Sequence, residues 1–445
     1  MRKWFPCARP ARYDRRVLSL TWVLLAASGV ADQSVRFEPV PEPLGEAWAD
    51  PCHDRGPVGR WVQMATAGAP ASIHNWSWLD SAAVWTGTRL VVALRKNGAW
   101  SGPSFDPCDN VWSPAADIAR LPRSEAWLSD DTDRPFRALG RDGSYDGFGK
   151  VAVWDDARNA WVGVTAPRDP LEPRSHYAVA VAGRRLMVWG GWTKASSVAN
   201  DGAVLDLARK SWKPMSQAGA PSARLDPVAV VWTGTRLIVW GGRAPTSKPG
   251  SLRALGDGAL YDPVADRWTP LPAASAPSAR VQATVAWTGR KLVVIGGSAD
   301  LDVSAALRDG AIYDPATDRW QHLEPPPGNV ALPRANVGPL TRILPTRDGR
   351  VVFLPEPLEQ VVVLDADRAA WSTLDAAPLR KRNSFRAFLI GRRLIVWGGQ
   401  TLVAEFRCPP PVPGQPICDS FAQTAAHDDG WMMLLPPRAG EGRAR

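Results

Sequence analysis

The amino-acid sequence predicts an all-β protein assembled from repeated four-stranded antiparallel units. Three observations lead there. An apolar strand that stops on two glycines recurs, as "RLMVWGG" at 185–191, "RLIVWGG" at 236–242, "KLVVIGG" at 291–297 and "RLIVWGG" at 393–399. An Asp stands six residues before a Trp in six places: Asp106/Trp112, Asp155/Trp161, Asp206/Trp212, Asp262/Trp268, Asp314/Trp320 and Asp365/Trp371. Gly (38) and Pro (42) are spread along all 445 residues, as expected for many short strands joined by turns.

Each element has a local reason. In "VVWTGTRLIVWGG", 230–242, strand a meets a tight Thr-Gly turn, and strand b closes on Gly-Gly. Glycine there permits positive φ and lets a second backbone come close. In "LYDPVADRW", 260–268, and "IYDPATDRW", 312–320, the Asp side chain is placed to bond the backbone two residues on. The adjacent Pro presets a turn, and the Trp opens strand d. One Trp at a fixed place per unit is expected to wedge neighbouring units together. Four antiparallel strands repeated about every 50 residues describe the blade of a β-propeller.

The units run in order along 61–435. Unit 1 keeps "VWTGTRLVVA", 84–93, but has Leu94-Arg95 where the glycines would stand. Units 2 and 6 lack the Gly pair and show mainly in Asp155/Trp161 and Asp365/Trp371. Units 3, 4, 5 and 7 carry it. The last unit ends in "DDGWMMLLP", 428–436, with no Trp-led strand d after it. The missing strand is expected from "VGRWVQMATAGAP", 58–70, which resembles "ADRWTPLPAASAP", 265–277. The expected architecture is a seven-bladed ring closed by an N-terminal outer strand, Trp61 leading it.

Gly-Gly after an apolar strand, then Tyr261 or Tyr313, then Trp268 or Trp320, resembles the Kelch-repeat β-propeller family. The resemblance covers nearly all of 61–435 and has an exported, bacterial type of organisation. It implies a binding propeller. Some Kelch-like propellers are copper-radical oxidases, which need two Tyr, two His and a modified Cys. Here Tyr261 and Tyr313 fill repeat positions, leaving beyond residues 1–31 only Tyr145 and Tyr177, so such an oxidase is not expected. Others are sugar mutarotases. That resemblance would make His176, Arg174 and Asp226 the actors.

Residues 1–31 read as an export signal: a basic stretch, then the apolar run "VLSLTWVLLAASGVA", then small residues. This run is too short for a comfortable membrane span. Residues 32–60 are read as an N-terminal connecting segment and 436–445 as a C-terminal tail. The expected location is periplasmic or extracellular. Of the formal charge of +9, residues 1–31 carry +5. The remainder is too thinly spread for nucleic acid, which needs a dense basic patch. Beyond the signal stand Cys52, Cys108, Cys408 and Cys418, an even number suited to disulfides. Placing the turns by face gives Cys52–Cys108 and Cys408–Cys418.

The a–b and c–d turns lie on one face of such a ring, and the b–c and d–a loops on the other. Arg174, Arg224, Arg280, Arg334 and Arg382 each begin a strand a and should ring the channel mouth. Guanidinium forks suit anions. They suit equally the carbonyls or the Asp of a neighbouring blade, with Asp201, Asp257, Asp309 and Asp429 at hand. Trp76, Trp78, Trp100, Trp127 and Trp192 map to the same face, either as a hydrophobic plug or as ligand contacts. No Gly-x-Ser-x-Gly, His-Glu-x-x-His or phosphate-binding Gly loop occurs. The acidic stretches at 129–133 and 141–147 read as solvated loops rather than a calcium site. No metal and no cofactor is expected. The chain is read as a monomeric binding module for a protein or glycan ligand.

Overall fold

The computed structural model describes residues 50–438 apart from 71–80, 115–127, 130–134, 139–149, 329–341, 407–420 and a set of stretches of up to four residues. The described residues form strands and no helix. Seven antiparallel sheets of four main strands follow one another along the described chain. Sheet 3 shows the pattern: strand a is Ala178–Ala182, b Arg185–Trp189, c Gly202–Asp206 and d Ser211–Pro214. Sheets 4, 5 and 6 repeat it from Ala229–Trp232, Thr284–Trp287 and Arg342–Pro345. Sheet 1 begins at Ser81–Trp85 and carries an extra short strand, Ala99–Ser101. Sheet 2, from Leu128–Ser129 to Ala160–Thr165, has the full order despite its missing glycines.

Sheet 7 is built from Arg386–Ile390, Arg393–Trp397, Gly430–Leu434 and, as its outer strand, Trp61–Gln63. Trp61 stands opposite Met433 and Gln63 opposite Trp431. The N-terminal strand therefore pairs with the C-terminal one, the slot the repeat arithmetic assigns to it.

The first strands of neighbouring sheets approach one another, so strand a marks the inner edge and strand d the rim. Between the sheets lie apolar clusters. One joins Met187 and Trp189 of sheet 3 to Tyr261 and Trp268 of sheet 4. Equivalent clusters join sheets 4 and 5, 5 and 6, and 6 and 7. A further one joins Ile395 and Trp397 of sheet 7 to Phe105 and Trp112 of sheet 1. Sheets 4 to 7 are thus buried on both faces, which is what makes a single unit unable to fold alone.

The repeated Trp does two jobs. Its ring meets the Trp that ends strand b of the preceding sheet: Trp189 with Trp268 at 5.3 Å, Trp240 with Trp320 at 6.0 Å, and Trp397 with Trp112 at 4.8 Å between centroids. In four units its indole N–H also donates to a carbonyl just past, or at the end of, the preceding strand d. Trp268 reaches Ser216 at 3.0 Å, Trp371 reaches Glu324 at 2.9 Å, Trp61 reaches Asp375 at 2.8 Å and Trp112 reaches Ala65 at 2.7 Å. The step from sheet 7 to sheet 1 thus uses the same contacts as the step from sheet 3 to sheet 4.

The turn chemistry follows the sequence. Asp106, Asp262, Asp314 and Asp365 each accept from the backbone N–H two residues on. The residue two before the Trp then turns left-handed, as at Asn110, Asp266 and Asp318 with φ of 55°, 50° and 54°. Its side chain reaches the preceding sheet. Ala65 N–H donates to Asn110 and Ser216 N–H to Asp266, both at 2.9 Å.

Both ends of the described chain are tied down. Cys52 is bonded to Cys108, with 5.0 Å between Cα atoms. Asp50 forms a buried ion pair with Arg393, whose guanidinium also donates to the Arg55 carbonyl. At the other end Arg438 bonds Asp365 and Asp367 and the carbonyl of Asp348. Cys408 and Cys418 lie outside the described residues.

Candidate functional site

The four described arginines lie four or five residues ahead of strand a, not at its start. A left-handed residue two positions after three of them separates the Arg from the strand: His176, Asp226 and Gln282, with φ of 56°, 43° and 57°. The guanidinium groups turn inward and are buried, Arg224 and Arg280 completely. Each donates to the carbonyl of the first glycine of its own pair: Arg174 to Gly190, Arg224 to Gly241, Arg280 to Gly296 and Arg382 to Gly398, at 3.0–3.2 Å. Each also meets the Asp that precedes strand c, in the pairs Arg174–Asp201, Arg224–Asp257, Arg280–Asp309 and Arg382–Asp429. These carboxylates belong to the same sheet as their Arg, where the sequence suggested a neighbouring one. With their donors spent on the b–c corner, the four form a structural brace and do not present a ring of free cations. Arg334 lies outside the described residues.

The second glycine of each pair has a different task. A Cβ at Gly191, Gly242, Gly297 or Gly399 would sit 2.6, 2.6, 2.5 or 2.8 Å from the carbonyl oxygen of the residue after the Arg. That is closer than any side chain tolerates, and φ there is 85–106°. The residue that follows the pair then bridges back: Trp192 to Ser175, Arg243 to Leu225, Ser298 to Val281 and Gln400 to Asn383. Arg, Gly-Gly and Asp together make one rigid frame at the inner end of each of these sheets.

On this frame, sheets 3 and 4 bring three polar side chains together. His176 Nδ1 lies 2.8 Å from Asp226 Oδ1, and Arg243 is ion-paired with Asp226 Oδ2. About a quarter of each side chain is exposed. Burial, and then the Arg243 charge, hold the His176 imidazole below its usual pKa, so near neutral pH it is uncharged. With Asp226 accepting, Nδ1 carries the proton and Nε2 is an acceptor. The neighbouring Tyr177 hydroxyl is pushed up to about 12 by burial.

Residues 140–338 match the KLHDC2/KLHL20/DRC7 Kelch-repeats domain. The match supports a Kelch family for this chain. The relatives agree. Adagio-like protein 3 of Oryza sativa subsp. japonica is 28% identical over 216 residues, covering 45% of this chain and 33% of that protein. An F-box/kelch-repeat protein of Arabidopsis thaliana is 26% identical over 182 residues, covering 39% and 41%. An N-(sulfonatooxy)prop-2-enimidothioate sulfolyase of Thlaspi arvense is 25% identical over 252 residues, covering 51% and 70%. The chain spans about a third of the length of the first of these curated relatives.

In Kelch terms the repeated Tyr is structural. Tyr261 and Tyr313 donate to Asp266 and Asp318 of their own turns at 2.7 and 2.6 Å, and burial first of all raises both hydroxyls' pKa. Sheet 6 departs from the pattern. Pro355-Glu356 stands where the glycines would be, and Glu356 is buried 3.6 Å from Arg342. Of the tryptophans singled out, Trp192 is half-buried and stands opposite Ser175, the residue before His176. Trp100 falls in the extra strand of sheet 1, and Trp76, Trp78 and Trp127 lie outside the described residues. Arg243, Gln282 and Glu356 escaped the sequence reading. Arg243 had one signal, its place directly after a Gly pair. Among the described residues no cluster of three or more His, Cys, Asp or Glu has the geometry to hold a metal.

Proposed function

We propose that this chain is an exported, monomeric, seven-bladed Kelch propeller that works as a non-catalytic binding module. The repeat of one Trp contact set from sheet 7 to sheet 1 supports ring closure by the N-terminal strand. The signal-like segment 1–31 supports export to the periplasm or outside the cell. Its ligand, a protein or a glycan, sits on the face of the b–c and d–a loops. The observation that carries this reading is the His176–Asp226–Arg243 cluster: three hydrogen-bonding groups, partly open, mounted on rigid frames at the mouth. Function is expected at such loops on a rigid scaffold. The test is a glycan and peptide binding screen on residues 32–445, repeated with Arg243→Ala and with Val264→Ser in the c–d turn of the opposite face. Binding lost in the first variant and kept in the second supports the reading. Binding lost only in the second places the ligand on the wrong face.

The His176–Asp226 pair favours one alternative. A neutral imidazole oriented by a carboxylate is the makings of a general base. A mutarotase-like activity on a free sugar would rest on it, and would appear as faster anomer exchange by NMR that His176→Ala removes.

A further inference from the structure

The frames repeat from sheet to sheet, but the side chains that flank them do not. Two positions after the Arg stand His176, Asp226 and Gln282. Directly after the Gly pair stand Trp192, Arg243 and Ser298. The first set is held at φ of 43–57°, where glycine would be free of strain and a side chain such as glutamine is not. Strain kept at equivalent positions of three sheets points to a use for those side chains.

We propose that the two residues flanking each frame are the positions that read the ligand, and that they take a neutral, hydroxyl-rich ligand of the oligosaccharide class. This rests on the mouth being the binding face. Charge supports the class first. The Asp226 carboxylate is balanced by Arg243, and His176 is uncharged near neutral pH, so the cluster offers no surplus charge to an acid or an amine. Hydrogen-bonding capacity supports it next. His176 Nε2 accepts, and Arg243 has N–H groups beyond the one on Asp226. The half-buried Gln282 has a side-chain carbonyl with no hydrogen-bond partner, an acceptor the protein leaves unused and one that turns outward to meet a ligand hydroxyl. Hydroxyl groups both donate and accept, which a mixed set of this kind can serve. Half-buried Trp192 adds an apolar plane for the C–H face of a sugar ring.

The experiment titrates the full chain with cellotriose, maltotriose and N,N′-diacetylchitobiose, with trigalacturonate as a charged counterpart and a random peptide array alongside. At least one neutral sugar is expected to bind. Asp226→Asn and Gln282→Ala should each weaken it at least tenfold, and Val264→Ser should leave it unchanged. Gln282→Ala removes no protein–protein hydrogen bond, so it reads recognition even if Asp226→Asn disturbs the corner. Gln282→Gly, which relieves the backbone, should raise the melting temperature while losing the sugar. Preference for trigalacturonate, or neutral-sugar binding indifferent to both variants, overturns the proposal. Peptide binding that Arg243→Ala abolishes, with no sugar bound, overturns it too but leaves the binding-module reading standing. No ligand in any arm sinks both.

Discussion

Arg224 shows how one side chain holds a corner. It is fully buried, yet the side chain of its partner Asp257 is 59% exposed. The ion pair is therefore largely screened, and the bonds to the Gly241 and Asp257 carbonyls matter more. Arg224→Ala leaves a hole and an unmet carbonyl, and should cost about 3 kcal/mol. Asp257→Asn should cost less than about 1 kcal/mol. Urea unfolding of both variants checks the order, and equal losses would mean that charge, not carbonyl capping, dominates. The arginines were legible as a repeat because an Arg stands 16 or 17 residues before the first glycine of each pair. Their role was not, because a sequence does not say whether a guanidinium turns into the corner or out to the channel. Arg243 was illegible for a related reason: its meeting with His176 depends on two left-handed residues in different sheets.

At the scale of the strand and its turn, the indole N–H separates otherwise matching units. Trp268 and Trp320 hold the same slot and are both buried. Trp268 donates to Ser216, whereas the Trp320 nitrogen has no partner. Trp268→Phe should therefore lose roughly 1 kcal/mol more than Trp320→Phe, the worth of one hydrogen bond. Thermal melts of the two variants side by side measure the difference, and a null difference removes the stitch from the energetics. These elements were the most readable in the chain, because Asp, the left-handed residue and Trp lie within seven positions of each other. Sheet 2 was readable only through that turn, since its inner strands carry neither glycine pair nor Trp. The Glu356 corner was not readable: nothing local marks Pro355-Glu356 as the substitute for two glycines.

For the whole molecule, both ends of the described chain act as ties. Asp50→Ala would leave Arg393 buried without its carboxylate and should cost about 3–5 kcal/mol. Breaking Cys52–Cys108, which spans 56 residues, should cost roughly 4 kcal/mol in the loop-entropy account. Melting in the presence and absence of reductant reads the second directly. The C-terminal tie depends on pH. Burial raises the pKa of Asp365 and Asp367, but Arg438 with Arg368, Arg290 and Lys291 outweighs it and holds both carboxyls below their usual range. A depressed folded value gives stability that is present above the unfolded value near 4 and is lost as pH falls through the folded one. Arg438→Ala should thus lower the melting temperature at pH 6, and the gap to the unaltered chain should narrow as pH falls below about 4 and close only below about pH 2. A gap of equal size at both ends of this range would show that the Arg438 contacts are not electrostatic. The pairing of Trp61 with Met433 also sets a clock. Translation at about 5–20 residues per second puts roughly 20–75 seconds between the synthesis of the two strands. For that interval the earlier one has no mate, and a ribosome that stalls within the last sheet leaves it single for good. Completion of the outermost strand is therefore a chemical record that translation reached the 430s, and the unmated edge of a stalled chain is what a protease would find first.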